Sequence, residues 1–307
     1  MKEAQAKRRS VLRSLSDAAD LLVDGSTIAV GGFSVANHPM PLVREIIRRE
    51  FHDLTIVGSA TAGLEVDLLI GAGTIDKLIC PYVGAEMYAP VAPCFRAAVE
   101  QKTIELYECS EYTLYAGLEA RARGFGFMPW KGGVGTSLPD LNPQYRVFRD
   151  PIENEEYLAI PPISADWALI HVGIADEFGN GQHLGPRFSD RLLARAADRV
   201  MLVAERIVPN EVIRRNPDRT SIPYADVVIE APYSSHPFAA HGLYGEDSEA
   251  IEEYVNVGEA LRKGDREAFD AYLDEWVRGV PSHEAYLEKV GVAKLLQLEK
   301  AYADIRK

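Results

Sequence analysis

From Ser26 onward, short apolar runs rich in β-branched residues alternate with stretches of helical periodicity, the signature of a parallel α/β sheet. Ile28–Val30 reads as a first strand and Pro41–Arg49 as a helix with Leu42, Ile46 and Ile47 on one face. Leu54–Val57, Leu78–Pro81 and Ile104–Tyr107 read as further strands, and Leu64–Ile70, Phe95–Val99 and Leu114–Arg123 as helices. Each crossover is short and each strand apolar, as expected when both faces of a sheet are covered. A second sector follows, with strands at Tyr157–Ile160, Ala168–Val172, Val200–Val203 and Val227–Ile229 and a helix at Arg191–Ala197. From Glu246 the chain is acidic and helical, at Ser248–Arg262, Arg266–Val277 and His283–Arg306. The expected fold class is α/β: an open, mostly parallel sheet with helices on both faces, plus C-terminal helices. Residues 1–245 make up the expected α/β domain, and residues 246–307 a helical segment that packs on the domain or on a partner.

Composition narrows the function classes. The net charge of −13 over 307 residues gives no broad electropositive footprint, so no nucleic-acid partner is expected. A local basic pocket for a phosphate stays open, since net charge does not set local fields. Cys80, Cys94 and Cys109 are odd in number and lack CxxC spacing, which argues against a disulfide scaffold or a zinc site and suits a reducing compartment. No apolar run approaches the roughly 20 residues that span a bilayer. Met1–Ser16 is polar and basic and does not read as a secretory signal. A cytoplasmic protein without a membrane or metal partner is expected.

The most informative stretch runs from Asp24 to Pro39, DGSTIAVGGFSVANHP. A strand leads straight into Gly31 and Gly32, and a helix begins soon after Pro39. Glycines at the carboxyl end of a parallel strand let the backbone approach a ligand and aim N–H groups at it, which suits a thioester oxyanion or a phosphate. The same pair also serves as a plain strand-to-helix turn, and the residues alone leave both readings open.

The whole string resembles the signature of class I CoA-transferases. That signature is an acidic residue and Gly, two arbitrary residues, three aliphatics, Gly-Gly-Phe, three residues, Gly, one residue and Pro. Asp24, Gly25, Ile28–Val30, Gly31, Gly32, Phe33 and Pro39 match, whereas Asn37 stands where acetoacetate-type members have Gly. Polar residues before the proline, Asn37 and His38, look more like the glutaconate CoA-transferase branch. Lys131–Ser137, KGGVGTS, resembles the family's Gly-Val-Gly-Thr loop, although a glycine-rich turn is an equally ordinary structural element. Asp166–Val172, Ala175–Gly181, Ala231–Phe238 and His241–Tyr244 resemble further segments of the A (alpha) subunits, so the resemblance covers about residues 15–275.

That resemblance implies the A (alpha) subunit of a heteromeric enzyme, a heterodimer or heterotetramer, moving CoA between an acyl-CoA and a carboxylic acid. CoA is then a substrate carrier, and no cofactor is bound permanently. Gly31, Gly32, Phe33, Asn37, His38, Gly133, Gly135 and Thr136 become the expected substrate- or CoA-binding residues. In this family a glutamate attacks the thioester, forming an acyl-glutamyl anhydride and then a glutamyl-CoA thioester. It lies in a Ser-Glu-Asn-Gly-like motif of the B half. The nearest string here, Ile152–Glu155 (IENE), lacks the Ser and Gly and reads as a solvated turn, so a beta (B) subunit is the expected partner.

One acid of this chain stands apart. Glu111 lies between a strand and a helix, at the carboxyl edge where open α/β sheets bind ligands. Ser110 or Thr113 could instead be a helix N-cap, with Glu111 answering the helix dipole. In ring-cleaving acyl-CoA hydrolases similar to this family, an alpha-subunit acid in the matching region takes part in catalysis, which makes Glu111 the candidate catalytic residue. Hydrolysis or carbon–carbon cleavage of a cyclic or unsaturated acyl-CoA is accordingly the alternative reaction. A sugar-sensing module of similar architecture would bring a DNA-binding helix-turn-helix, for which the first 20 residues are too short. Cys109, beside Glu108 and Glu111, reads as a buried thiol with a raised pKa, unsuited to be a nucleophile. His171 reads as a strand residue satisfied in the core, and His236 and His241 lack a metal-binding pattern.

Overall fold

The computed structural model describes residues 9–305, so Met1–Arg8, Arg306 and Lys307 lie outside the described residues. Seven strands form one sheet: β1 (Thr27–Val30), β2 (Leu54–Val57), β3 (Ile75–Ile79), β4 (Glu105–Leu106), β5 (Ala165–Val172), β6 (Ala197–Ala204) and β7 (Val227–Glu230). Their order is β7-β6-β5-β1-β2-β3-β4, and every neighbouring pair is parallel. The two sectors read from the sequence are therefore one sheet growing in opposite directions from β1 and β5. The exception is the strand Glu156–Ile160, which joins Met128–Trp130 and Arg146–Arg149 in a small antiparallel sheet.

Period-two alternation places successive strand residues in two cores. Ile28 and Val30 belong to one and Ala29 to the other; Leu169 and Met201 fall with the first, Ala168, Ile170 and Leu202 with the second. On the first face lie α1 (Met40–Arg48), α2 (Leu64–Gly71) and α3 (Pro93–Gln101), and on the second α4 (Glu111–Arg123) and α5 (Asp190–Ala196). The C-terminal helices α6 (Ser248–Arg262), α7 (Arg266–Leu273), α8 (His283–Val290) and α9 (Val292–Ile305) follow. Ile251, Tyr254, Phe269, Leu273 and Val277 enter the same core cluster as Ile28, so this segment packs on the sheet domain. None of the described helices is long and apolar enough to cross a membrane.

Several boundaries differ from the sequence reading, three of them for a plain local reason. The strand expected at Leu78–Pro81 runs over Ile75–Ile79, because Ile75 pairs with Leu54 across the ladder. The last helix breaks at Gly291, whose φ of +90° ends α8. The α-helical part of the expected Arg266–Val277 stops at Leu273, where a π-turn over Asp274–Arg278 begins. Helix α1 also exceeds its expected one-sided burial: Met40 to Ile47 are all buried, Arg44 and Glu45 included, because the C-terminal helices cover its outer side. Asp67 of α2 strengthens that layer, accepting N–H bonds from Cys94 (3.3 Å) and Phe95 (2.6 Å) at the start of α3 and a hydroxyl bond from Tyr254 of α6 (2.7 Å).

Phe269 is fully buried, and a Cβ on Gly71 would collide with its ring. Phe269→Ala is expected to lower stability by about 3–5 kcal/mol, the range for aromatic-to-alanine cavities in a shared core. Urea denaturation followed by fluorescence and circular dichroism should show one shifted transition. A small loss confined to the C-terminal helices would mean that they are not part of the cooperative core.

Candidate functional site

The strand order reverses direction between β1 and β5, and the crevice beyond their carboxyl ends is where open α/β sheets take ligands. Gly31 and Gly32 occupy the end of β1 at that point. Gly32 has a φ of +101°, and a Cβ on it would collide with the His38 ring. A Cβ on Gly31 would stand 2.8 Å from Asp190 Oδ1 and 2.9 Å from Ile170 Cδ1. The glycines thus let this chain's own side chains close onto the backbone.

Both amides are engaged. Gly31 N–H donates to the Leu169 carbonyl (2.9 Å) and Gly32 N–H to Asp190 Oδ1 (2.9 Å). Neither is free to receive an oxyanion without giving up its partner, which corrects the expectation that they point at a ligand. Asp190 is fully buried at the first turn of α5, and its other oxygen accepts from His183 Nε2 at 2.8 Å; His183 Nδ1 pairs with the Ser221 hydroxyl at 2.6 Å.

His38 is fully buried on the other side of the turn. Its Nε2 lies 3.0 Å from the Ser34 carbonyl, and its Nδ1 lies 3.2 Å from both the Gly31 carbonyl and Glu65 Oε2. Burial pushes the His38 ring down to about 4, against the pull of the Ser34 and Gly31 carbonyls. Burial likewise pushes the Glu65 carboxyl up to about 8, although Gly63 N–H donates to it. Burial thus favours the neutral form of both groups, a protonated Glu65 beside an uncharged His38 ring.

Asn37, the departure from the family's glycine, has a φ of +62°. Asn is among the few residues other than glycine that accept this left-handed region, so the substitution keeps the loop's path. Its Oδ1 accepts the His241 N–H at 2.9 Å. The Ala231–Tyr244 segment braces the loop further: Ser235 Oγ accepts His38 N–H (3.0 Å), Ala239 exchanges backbone bonds with Val35 and Asn37, and Phe238 packs edge-on to the His38 ring at 4.9 Å. Phe33 is half-buried and stacks on Phe188 at 5.0 Å.

Glu111 is the first residue of α4 and is exposed. Ser110 is the N-cap, and Ser110 and Thr113 satisfy each other's backbone N–H in a capping box. Tyr115, one turn on, has its phenol pushed up first by burial and then by the Glu111 carboxylate, with the Asp190 charge also reaching it. The second glycine loop is elsewhere: Gly133, Gly135 and Thr136 follow the strand Met128–Trp130, and Thr136 Oγ1 donates to the Gly133 carbonyl at 2.9 Å. No hydrogen bond among the described residues joins it to Gly31 or Gly32. Its link to the site is Trp130, which stacks on Tyr112, next to Glu111, at 6.0 Å.

The remaining candidates resolve simply. Ile152–Glu155 lies in an exposed connection held by Asp150, which accepts three backbone N–H bonds. Cys109 is half-buried, and burial first, then Cys80 and Glu108, push its thiol up, away from a reactive thiolate. His171 is buried and bonded through Nε2 to Glu205 at 2.9 Å. His236 pairs with Tyr286 and Asp247, and among the described residues no group of three or more His, Cys, Asp or Glu side chains is placed to hold a metal.

Residues 12–230, which contain the glycine turn and Asp190, match the family model described as Coenzyme A transferase. The chain belongs to that family. Over 94% of its length it is 31% identical to the A chain of glutaconate CoA-transferase from Acidaminococcus fermentans, of which it covers 95%. The crystal structure of glutaconate coenzyme A-transferase from that organism superposes with a TM-score of 0.88, at 31% identity, over 94% of this chain and 96% of that one. It is 30% identical to the cholesterol ring-cleaving hydrolase IpdA subunit of Rhodococcus jostii, over 79% of this chain and 85% of that protein. It spans 64% of the length of an Archaeoglobus fulgidus protein to which it is 34% identical. This CoA-transferase chain is of the alpha-subunit kind.

Sequence reasoning missed Asp190, His183, Glu65 and Ser235. Asp190, after Ser189 and before a helix, reads as an ordinary first-turn acid, and Glu65 as part of an apolar helix. No local signal shows that either reaches Gly31–Pro39.

The neutral His38–Glu65 pair has a pH signature. The unfolded chain releases the Glu65 proton near the ordinary 4.5, while the folded chain keeps it to about 8. Its contribution to stability is therefore full below about pH 4.5 and is lost as pH rises towards 8. His38 runs the other way: its contribution is present above its ordinary 6.5 and is lost as pH falls towards about 4. Glu65→Gln removes only the first dependence. Urea midpoints measured at about pH 6 and about pH 8.5 should shift in the variant's favour relative to the native chain. Parallel curves would show that Glu65 is ionised in the folded state.

Proposed function

We propose that this chain is the alpha half of a two-subunit enzyme that moves CoA between an acyl-CoA and a carboxylic acid, with an acid of the glutaconate type as one partner. The observation that carries the reading is the Gly31–Gly32 turn at the crevice between β1 and β5, inside the segment that matches the family. Asp190 and the His38–Glu65 pair hold its shape from two sides. The alpha half in this reading supplies a rigid wall against which the thioester is placed, and rigid placement of reacting groups lowers the barrier. A glutamate of a beta subunit supplies the nucleophile, CoA travels as the carrier, and the assembly is a heterodimer or heterotetramer in the cytoplasm. Gly133, Gly135 and Thr136 belong, in the same reading, to the CoA-binding side near Tyr112 and Glu111.

The second reading is hydrolysis or carbon–carbon cleavage of a cyclic or unsaturated acyl-CoA. It is favoured by the exposed position of Glu111 at the start of α4, where the carboxylate can meet a group from outside the chain. The chain's similarity to a ring-cleaving hydrolase points the same way.

One experiment separates the two. The chain alone is expected to show negligible acyl-CoA turnover and to gain activity with the beta subunit. Full activity alone would overturn the two-subunit reading. Borohydride added to the heteromer with acyl-CoA should trap a glutamyl thioester on the partner, with Glu111→Gln retaining most activity. An untrapped enzyme whose Glu111→Gln variant loses about 10²–10⁴-fold would instead make Glu111 the general base of the cleavage reaction.

A further inference from the structure

We propose that the cavity between α1 and the C-terminal helices is a binding site for a small organic carboxylate with an apolar body, anchored by Arg44. The cavity measures about 220 Å³, ample for more than one water, and Leu64, Leu68, Ile251, Tyr272 and Trp276 supply apolar walls. It lies outside the crevice between β1 and β5.

Arg44 lines this cavity and is only 4% exposed. Its Nη2 donates to the His236 carbonyl at 2.6 Å, and the guanidinium stands 3.5 Å over the centre of the Tyr286 ring. Its Nη1 is buried and has no hydrogen-bond partner. No carboxylate among the described residues forms an ion pair with it. A buried cation without a counter-ion is costly, and proteins ordinarily pair one.

The acids around the cavity are committed elsewhere. Asp247 holds Lys294, His236 and the N–H of Ala250; Glu249 holds Lys294; Glu253 accepts from Trp276 Nε1. A ligand carboxylate in the cavity would give the guanidinium its charge partner, and the planar fork of arginine suits that group. The rest of the ligand would lie against the aromatic and aliphatic walls, the usual division of a small-molecule site into a few polar anchors and an apolar lining.

The test uses the full chain with benzoate as probe and benzamide as its uncharged counterpart, read by calorimetry and thermal shift. Benzoate is expected to bind at least about tenfold more tightly than benzamide. Arg44→Met keeps the apolar stem and removes the unpaired charge, so it should fold as well as the native chain and bind benzoate at least about tenfold more weakly. Equal binding of the two probes overturns the proposal. So does undiminished benzoate binding by the folded variant, or no benzoate binding at millimolar concentration. Should Arg44→Met fail to fold, crystals of the native chain soaked in 3-bromobenzoate decide the matter. An anomalous bromine peak in this cavity, with the carboxylate on Arg44, supports the site; a peak only elsewhere, or none, overturns it.

Discussion

The missing Cβ atoms of Gly31 and Gly32 are the constraint on which the candidate site rests. They let Asp190 and His38 approach the end of β1 more closely than any larger residue would allow. Once there, Asp190 fixes Gly32 through its N–H, and His38 is in turn fixed by Ser34, Glu65 and Ser235. Each of these groups is buried, so each needs its partner, and loss of one leaves another unsatisfied at a cost of about 1–3 kcal/mol. The turn is thus a pre-set surface rather than a flexible loop, which is what a site that must orient a thioester requires.

The same logic of two-sided burial extends outward. A parallel sheet must be covered on both faces, and here the first cover is itself covered. Helix α1 lies between the sheet and the C-terminal helices, which is why Arg44 is interior although a helical periodicity drawn from Leu42, Ile46 and Ile47 leaves it facing out. Asp67 shows how such a layer tolerates a buried acid: two N–H groups at the start of α3 and the Tyr254 hydroxyl converge on it. Burial dominates and pushes its carboxyl up, with the Phe95 and Tyr254 bonds only partly opposing.

Much of the fold was legible in local pattern, because alternation and helical periodicity are set by neighbours within a few residues. Leu54–Val57 and Ser248–Arg262 run over the residues expected from their periodicity, and the other expected sheet strands shift by a few residues. The join between the two sectors was not legible. Whether β5 pairs with β1 depends on a contact more than a hundred residues apart, between Ile28 and Trp167. The helix start at Glu111 was half-legible: Ser110 and Thr113 announce a cap, but that the charges of Glu111 and Asp190 both act on Tyr115 does not show in the string.

By itself the sequence determined the strand and helix alternation, the glycine turn at the end of the first strand and the kinship that its motif carries. These follow from backbone sterics and short-range periodicity, which a linear string contains. Only the tertiary structure decided that the amides of Gly31 and Gly32 are already engaged, that Glu65 and His38 sit as a neutral pair, and that Arg44 is buried without a counter-ion. Hydrogen-bond partners and desolvation depend on which distant segments fold together, and the identity of a residue does not disclose what will surround it.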